Sequence, residues 1–315
     1  MPKRAFIFPG QGSQQVGMGR ELAEAFQTAR LVFEELDDAL EQRLSRLMFE
    51  GSESDLTLTE NAQPALMAVS LATVRVIERD GGKPLSEVAD FVAGHSLGEY
   101  SALAAAGSLE LGDAARLLRR RGQAMQQAVP VGVGAMAAIL GLDLEAVRQV
   151  AEEASVGTEV CVPANDNAPG QVVVSGDKAA VERAVALAAE RGGKRSVMLP
   201  VSAPFHCPLM APAADVMAEA LAAVTLAPPQ VPLVANVTAQ AVQDPETLRR
   251  LLVEQVTGMV RWRESVETMR DAEVELFVEC GAGKVLTGLT RRIDRSLAGT
   301  AINGPADIEA FLDSL

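Results

Sequence analysis

Gly94-His95-Ser96-Leu97-Gly98 is the stretch of this sequence best suited to covalent chemistry. An apolar run from Val88 to Ala93 precedes it and reads as a buried strand. Glu99 to Ala106 follows and reads as a helix. Strand, Gly-x-Ser-x-Gly, helix is the nucleophile elbow, in which a serine stands at the tip of a sharp turn with its Oγ exposed. The glycines let neighbouring backbone approach without a clashing Cβ. The helix that follows aims its free N–H groups and positive dipole end at charge developing during acyl transfer.

A serine nucleophile needs a base, and the chain has only 2 histidines. His95 adjoins Ser96 at a strand end, where successive side chains point to opposite sides; it reads as a packed or hydrogen-bonded residue. That leaves His206, in a loop stiffened by Pro204 and Pro208, as general base. No acid between Ser96 and His206 stands out as a third member. The expectation is a Ser–His dyad whose imidazole is oriented by a neutral acceptor such as a backbone carbonyl. With no carboxylate partner, His206 should titrate near the ordinary value of about 6.5.

Arg121 falls on an apolar helical stripe with Leu118 and Met125, whereas Arg116 and Arg120 fall on the opposite side. A buried arginine must find an anion or a set of acceptors. A substrate carboxylate would suit its planar fork, and an internal ion pair would serve equally. Gln255 shows the same oddity on the stripe of Leu248, Leu251 and Leu252.

The elements that must position these residues follow from the chain in order. Ala5–Phe8 reads as a strand ending in Pro9-Gly10-Gln11-Gly12-Ser13-Gln14; Gln15 stands where a dinucleotide loop needs its third glycine, and no Gly-Lys-Ser/Thr follows, which rejects both phosphate-loop readings. Helices are expected over Leu22–Ala29, Arg30–Arg46, Pro64–Arg79 and Leu111–Ala128. From Gly134 to Pro200 the rhythm changes. Strand Ala135–Leu140, helix Leu144–Ala154, strand Glu159–Pro163, a turn over Asn165–Gly170, strand Gln171–Ser175, helix Lys178–Arg191 and strand Arg195–Leu199 make a β-α-β-β-α-β unit, the ferredoxin-like order. The larger α/β pattern resumes with helix Pro208–Val224, strand Leu233–Val237, helix Pro245–Val256, strand Glu275–Cys280 and a helix from Gly281 to Ile293.

Composition narrows the function classes. Hydrophobic content of 48% with 22% charged residues describes a soluble globular protein. A formal charge of −14 and 3% aromatic residues argue against nucleic acid and anionic membranes as partners. Cys161, Cys207 and Cys280 show neither disulfide nor zinc spacing and imply reduced thiols in a cytoplasm; no signal peptide or bilayer-spanning run is evident.

With these residues in view, the chain resembles the malonyl-CoA:acyl carrier protein transacylases, the acyltransferases of fatty acid synthesis. The resemblance runs over essentially the whole chain, through Phe8–Gln14, Asn61-Ala62-Gln63-Pro64-Ala65, Gly94–Tyr100, Arg121-Gly122, Asn165–Gln171, Pro204-Phe205-His206 and Gly283–Leu286. It implies an α/β fold: an α/β-hydrolase-like core, 1–130 and 201–315, with an inserted ferredoxin-like subdomain, 131–200. It implies Ser96 as the acylated nucleophile and His206 as its base. The N–H groups of Gln11 and Leu97 would form the oxyanion hole, Arg121 would clamp the malonyl carboxylate, and the main-chain carbonyl of Gln255 would hold His206. Asn165 and Asn167 would lie beside the pantetheine arm. Leu97 and Phe205 resemble malonyl-selective members. Two positions depart from the family: Met259 and Ala282 stand where proline is common.

The resulting expectation is a monomeric cytoplasmic ping-pong transferase, moving a malonyl group from malonyl-CoA to the phosphopantetheine thiol of acyl carrier protein through a malonyl-serine ester. The chemistry calls for no cofactor or metal. A serine esterase or thioesterase would use the same elbow with water as acceptor. The transacylase of a malonate-metabolising complex would differ only in its partner.

Overall fold

The computed structural model describes residues 2–201 and 203–315; Met1 and Ser202 lie outside the described residues. Strand β1 (Lys3–Phe8) is buried from Arg4 onward and leaves neither face to water, as a central parallel strand requires. It pairs in parallel with β2 (Phe91–Gly94) on one side and β9 (Val274–Cys280) on the other. With β7 (Leu233–Val234), β8 (Ala241–Val242) and β10 (Ala298–Ile302) they form a six-stranded sheet of order β10-β9-β1-β2-β7-β8, in which only β8 runs antiparallel. Side chains alternate across it. Phe6 and Phe8 enter the core packed by helices Thr59–Arg79 and Leu111–Ala128, while Ala5 and Ile7 join Trp262, Val266 and Leu286 on the other face.

A second sheet holds β3 (Gly134–Leu140), β4 (Cys161–Ala168), β5 (Gln171–Asp177) and β6 (Arg195–Met198), all antiparallel, in the order β4-β5-β3-β6. Helices Leu144–Ala154 and Lys178–Glu190 close a separate core against it through Val147, Val150, Val181 and Ala184. That topology is ferredoxin-like. Among the described residues no helix is long and apolar enough to cross a membrane.

Several elements differ from the sequence expectation, each for a local reason. Val88 ends a short helix, Leu85–Val88, and the elbow strand begins only at Phe91, because Asp90 first accepts the Arg4 N–H at 2.8 Å. The expected Arg30–Arg46 helix is two helices, Gln27–Leu40 and Leu44–Glu50. Glu41 turns left-handed between them, and Asp37 accepts both the N–H and the hydroxyl of Ser45. Pro64 lies inside a helix that begins at Thr59. Its ring nitrogen cannot donate to the Glu60 carbonyl, which instead accepts from Arg119 Nε at 2.8 Å.

Asn165, Asp166 and Asn167 belong to β4 and not to a turn. Register shifts at Pro163/Asn165 and Asp166/Ala168 accommodate them, and Asn165 bridges to Val260 of the larger part of the chain. The helix expected from Gly281 begins at Val285, where the Glu279 carboxylate accepts the Leu286 and Thr287 N–H groups. Helix Trp262–Asp271, strands β8 and β10, and helix Pro305–Asp313 had no counterpart in the sequence reading.

Because β1 and β2 are adjacent and parallel, their C-terminal ends lie side by side, as in the crevices where α/β sheets bind ligands. The His95 N–H donates to the Phe8 carbonyl at 3.0 Å, so the Pro9–Gln14 loop lies against the elbow. The approach leaves no room at Gly98, where a Cβ would lie 2.2 Å from the Phe8 carbonyl oxygen. Gly98→Ala should therefore destabilise the protein by about 1–3 kcal/mol, the usual cost of overpacking. Urea unfolding should show a lower midpoint at unchanged slope; an unchanged midpoint would mean that the elbow and β1 separate freely.

Candidate active site

Ser96 occupies the turn between β2 and helix Gly98–Ala105 with φ 54°. A non-glycine residue in this region costs about 1–3 kcal/mol and needs surrounding structure to hold it. The chain here has that support. A Cβ on Gly94 would lie 1.9 Å from the Gly98 backbone, so only glycine lets the turn close. The Ser96 N–H donates to Asn236 Oδ1 at 2.8 Å, and Asn236 Nδ2 donates to the Gly94 carbonyl at 2.7 Å. The Ser96 carbonyl accepts from Gln255 Nε2 at 3.0 Å.

The second reacting side chain comes from across the sequence. His206 also has positive φ, 58°, and its Nε2 lies 2.7 Å from Ser96 Oγ. Its Nδ1 faces two carbonyls, Gln255 at 2.8 Å and Gly258 at 3.2 Å. Carbonyls only accept, so Nδ1 carries the proton and Nε2 is left bare to receive the serine's. The Gln255 carbonyl is available because helix Pro245–Thr257 ends two residues later, and the last turn of a helix lacks intrahelical donors. A helix C-terminus also carries partial negative charge, which favours the imidazolium that forms during proton transfer. His95 faces away, with Nε2 2.8 Å from Asn167 Oδ1 and its ring against Trp262.

Arg121 is buried to 1% exposure and reaches the same hydroxyl, with Nη2 3.1 Å from Ser96 Oγ. Its other partners are neutral amides: Gln63 Oε1 on Nη1 at 2.8 Å and Gln255 Oε1 on Nη2 at 2.9 Å. Among the described residues no carboxylate touches it, and its Nε has no acceptor. The ion-pair alternative for Arg121 is therefore not what the fold builds. A buried guanidinium beside a nucleophile, with no carboxylate in contact with it among the described residues, is a receptor for an anionic group on the electrophile.

Gln11, Leu97, Asn165 and the three residues above line one cavity of about 460 Å³. The N–H groups of Gln11 and Leu97 donate to no protein acceptor among the described residues. Leu97 caps the N-terminus of the elbow helix, where free donors and the helix dipole both favour an oxyanion. The constellation can accept an acyl group on Ser96, with His206 taking the proton and the two amides receiving the negative oxygen.

The expected ordinary titration of His206 does not hold. Burial pushes the imidazole down to about 3, reinforced by the Arg121 charge, and the Gln255 carbonyl offsets this only in part. The base is thus neutral and ready well into acid. Sequence reasoning also missed Glu99, Asn236 and Gln63, which hold the elbow and the arginine from behind. One signal was present for Glu99: helix Gly98–Ala105 is apolar on every side, so a carboxylate on it has no wet face.

The acyl transferase domain family matches residues 5–301. The malonyl CoA-acyl carrier protein transacylase of Bacillus subtilis (strain 168) is 46% identical over 315 residues, covering 100% of this chain and 98% of that protein. Among solved structures, the acyl-carrier-protein-S-malonyltransferase of Bartonella henselae superposes with a TM-score of 0.96 at 54% identity, covering 99% of each chain. A malonyl-transacylase solved in complex with its type II PKS acyl-carrier protein has a TM-score of 0.96 at 44% identity, covering 99% of this chain and 100% of that one.

Two outcomes follow for an uncharged, serine-directed phosphonylating agent, which reads the nucleophile without engaging a carboxylate site. His206→Ala should slow labelling of Ser96 by roughly 10²–10⁴-fold, the usual size of general-base catalysis. The wild-type rate should show no loss centred near pH 6.5 and should persist at pH 5. A midpoint at about 6.5 would mean that His206 titrates like an exposed imidazole.

Proposed function

The chain belongs to the acyl transferase domain family, and on that premise we propose that it transfers a malonyl group from malonyl-CoA to the phosphopantetheine thiol of acyl carrier protein, for fatty acid biosynthesis. The observation that carries this reading is the Arg121 guanidinium 3.1 Å from Ser96 Oγ, with no carboxylate upon it among the described residues. Residues 1–130 and 201–315 act as the α/β-hydrolase-like catalytic core, and 131–200 as the ferredoxin-like subdomain, which lends Met136, Asn165 and Leu199 to the cavity wall. The setting is the cytoplasm, in keeping with three free, buried thiols.

The reaction runs in two halves. His206 Nε2 takes the Ser96 proton as Oγ attacks the thioester carbonyl. The N–H groups of Gln11 and Leu97 hold the oxyanion, and the imidazolium returns its proton to the departing sulfur of coenzyme A. In the second half His206 deprotonates the carrier's thiol, which attacks the malonyl-serine ester, and the proton goes back to Ser96 Oγ. Among the described residues the base is oriented by carbonyls and not by a carboxylate: Gln255 at 2.8 Å and Gly258 at 3.2 Å. The cysteines do not compete as nucleophiles, since burial raises all three, Cys161 to about 12.

Arg121 sets the choice of acyl group. A malonyl carboxylate replaces its lost water with charge-assisted hydrogen bonds, whereas an acetyl group leaves the guanidinium unpaired. Intact mass after mixing with malonyl-CoA should show one malonyl adduct, mapped to Ser96 and discharged by acyl carrier protein. A label on Cys161, Cys207 or Cys280 would overturn the serine mechanism. Arg121→Ala should lower kcat/KM for malonyl transfer on the order of 10²–10⁴-fold, from roughly 3–5 kcal/mol for breaking a buried charge pair. Acetyl transfer should stay level or rise. Equal losses for both thioesters would mean that Arg121 supports the fold and does not read the substrate.

A further inference from the structure

Glu99 is a buried carboxyl that the mechanism above does not use. It is 1% exposed, on the helix that begins just after the nucleophile. Its Oε2 accepts from Gln255 Nε2 at 2.6 Å and from the Asn236 N–H at 3.3 Å. The other end of the same Gln255 amide, Oε1, accepts from Arg121 Nη2 at 2.9 Å. One carboxyl and one guanidinium, both withdrawn from water, are therefore joined through a single amide and do not touch. The arrangement gives the guanidinium a counter-charge one residue away, while the side that donates to Ser96 Oγ lines the cavity where an acyl group would sit.

A substrate carboxylate changes this balance. Malonyl on Arg121 would bring a second carboxylate to the guanidinium that Glu99 faces through Gln255, and the repulsion between like charges, with Glu99 itself buried, favours the neutral form of Glu99. We propose that Glu99 is a selectivity-determining residue that takes up one proton from solvent when a malonyl carboxylate settles on Arg121, so that the buried cluster keeps one negative charge opposite one positive. This rests on the malonyl-transfer reading and deepens it. Glu99 touches neither substrate nor reacting atoms; it acts through Gln255 and Arg121.

The groups facing Glu99 leave it alone in the neutral range. Burial raises Glu99 to about 7, against the pull of Gln255, Asn236 and Arg121. Tyr100, on its own helix, is pushed up to about 12, and His206, from the loop opposite, down to about 3. Burial lowers His95 on the elbow, away from neutrality, and Arg121 on its helix remains the cation. Gln255 and Asn236 do not titrate. Above pH 7 the free enzyme must therefore be protonated before malonyl binds, whereas acetyl makes no such demand.

The test is made on the whole protein with malonyl-CoA and acetyl-CoA. The malonyl-to-acetyl ratio of kcat/KM should fall by up to ~10-fold per pH unit above about 7, as one required proton dictates. Glu99→Gln should flatten it. In wild type at pH 8, a pH indicator in weak buffer should report uptake approaching one proton per malonyl adduct beyond the acetyl run, which corrects for the released thiol. A loss of packing alone would move neither readout. A ratio independent of pH, equal proton exchange for both thioesters, or a pH-dependent ratio surviving in Glu99→Gln would overturn the proposal while leaving malonyl transfer intact. Failure of malonyl-CoA to acylate Ser96 at all would overturn the functional reading beneath it.

Discussion

One residue, Gln255, ties together everything that must stay aligned around Ser96. Its main-chain carbonyl accepts from His206 Nδ1 at 2.8 Å. Its side-chain oxygen accepts from Arg121 Nη2 at 2.9 Å, and its nitrogen donates to the Ser96 carbonyl at 3.0 Å and to Glu99 at 2.6 Å. The residue is fully buried, so each of these groups would cost about 1–3 kcal/mol if left unpaired. An amide has two distinct ends, and only one orientation satisfies a guanidinium on one side and a carboxyl on the other. That requirement fixes the aim of the arginine and the strained turn of the nucleophile together.

Orienting the imidazole with carbonyls has a consequence that a carboxylate would not. A carboxylate beside Nδ1 would favour the charged ring and raise its affinity for protons. Two neutral acceptors and the C-terminal end of helix Pro245–Thr257 give weaker support, and burial beside Arg121 outweighs them. The resting base is neutral over the whole physiological range. Charge on the ring appears only as the serine proton moves, where the helix terminus and the growing oxyanion both favour it.

Ser96 and His206 were legible in the sequence because few alternatives existed: one Gly-x-Ser-x-Gly between a strand and a helix, and 2 histidines in all. Arg121 and Gln255 betrayed themselves as polar side chains on apolar helical stripes. The β-α-β-β-α-β order of elements over 134–200 was legible along the chain, and the ferredoxin-like topology followed from it. What stayed hidden depended on contacts far apart in the chain. Asn236 follows a two-residue strand and holds Ser96 from 140 positions away, which no local pattern encodes. Asn165–Asn167 looked like a turn because polar residues cluster there; pairing with β5 and Val260 overrides that preference. The lowered titration of His206 comes from its burial and then from the Arg121 charge, both properties of the finished fold.

The most direct measurement of this account is the ¹⁵N spectrum of the His206 ring in the resting protein, followed from pH 8 to pH 5.5. The carbonyls of Gln255 and Gly258 require a neutral imidazole with the proton on Nδ1 and none on Nε2, unchanged across that range. A ring protonated on Nε2 would contradict the base assigned to Ser96. A ring that becomes doubly protonated near pH 6.5 would contradict the buried, carbonyl-held dyad on which the mechanism depends.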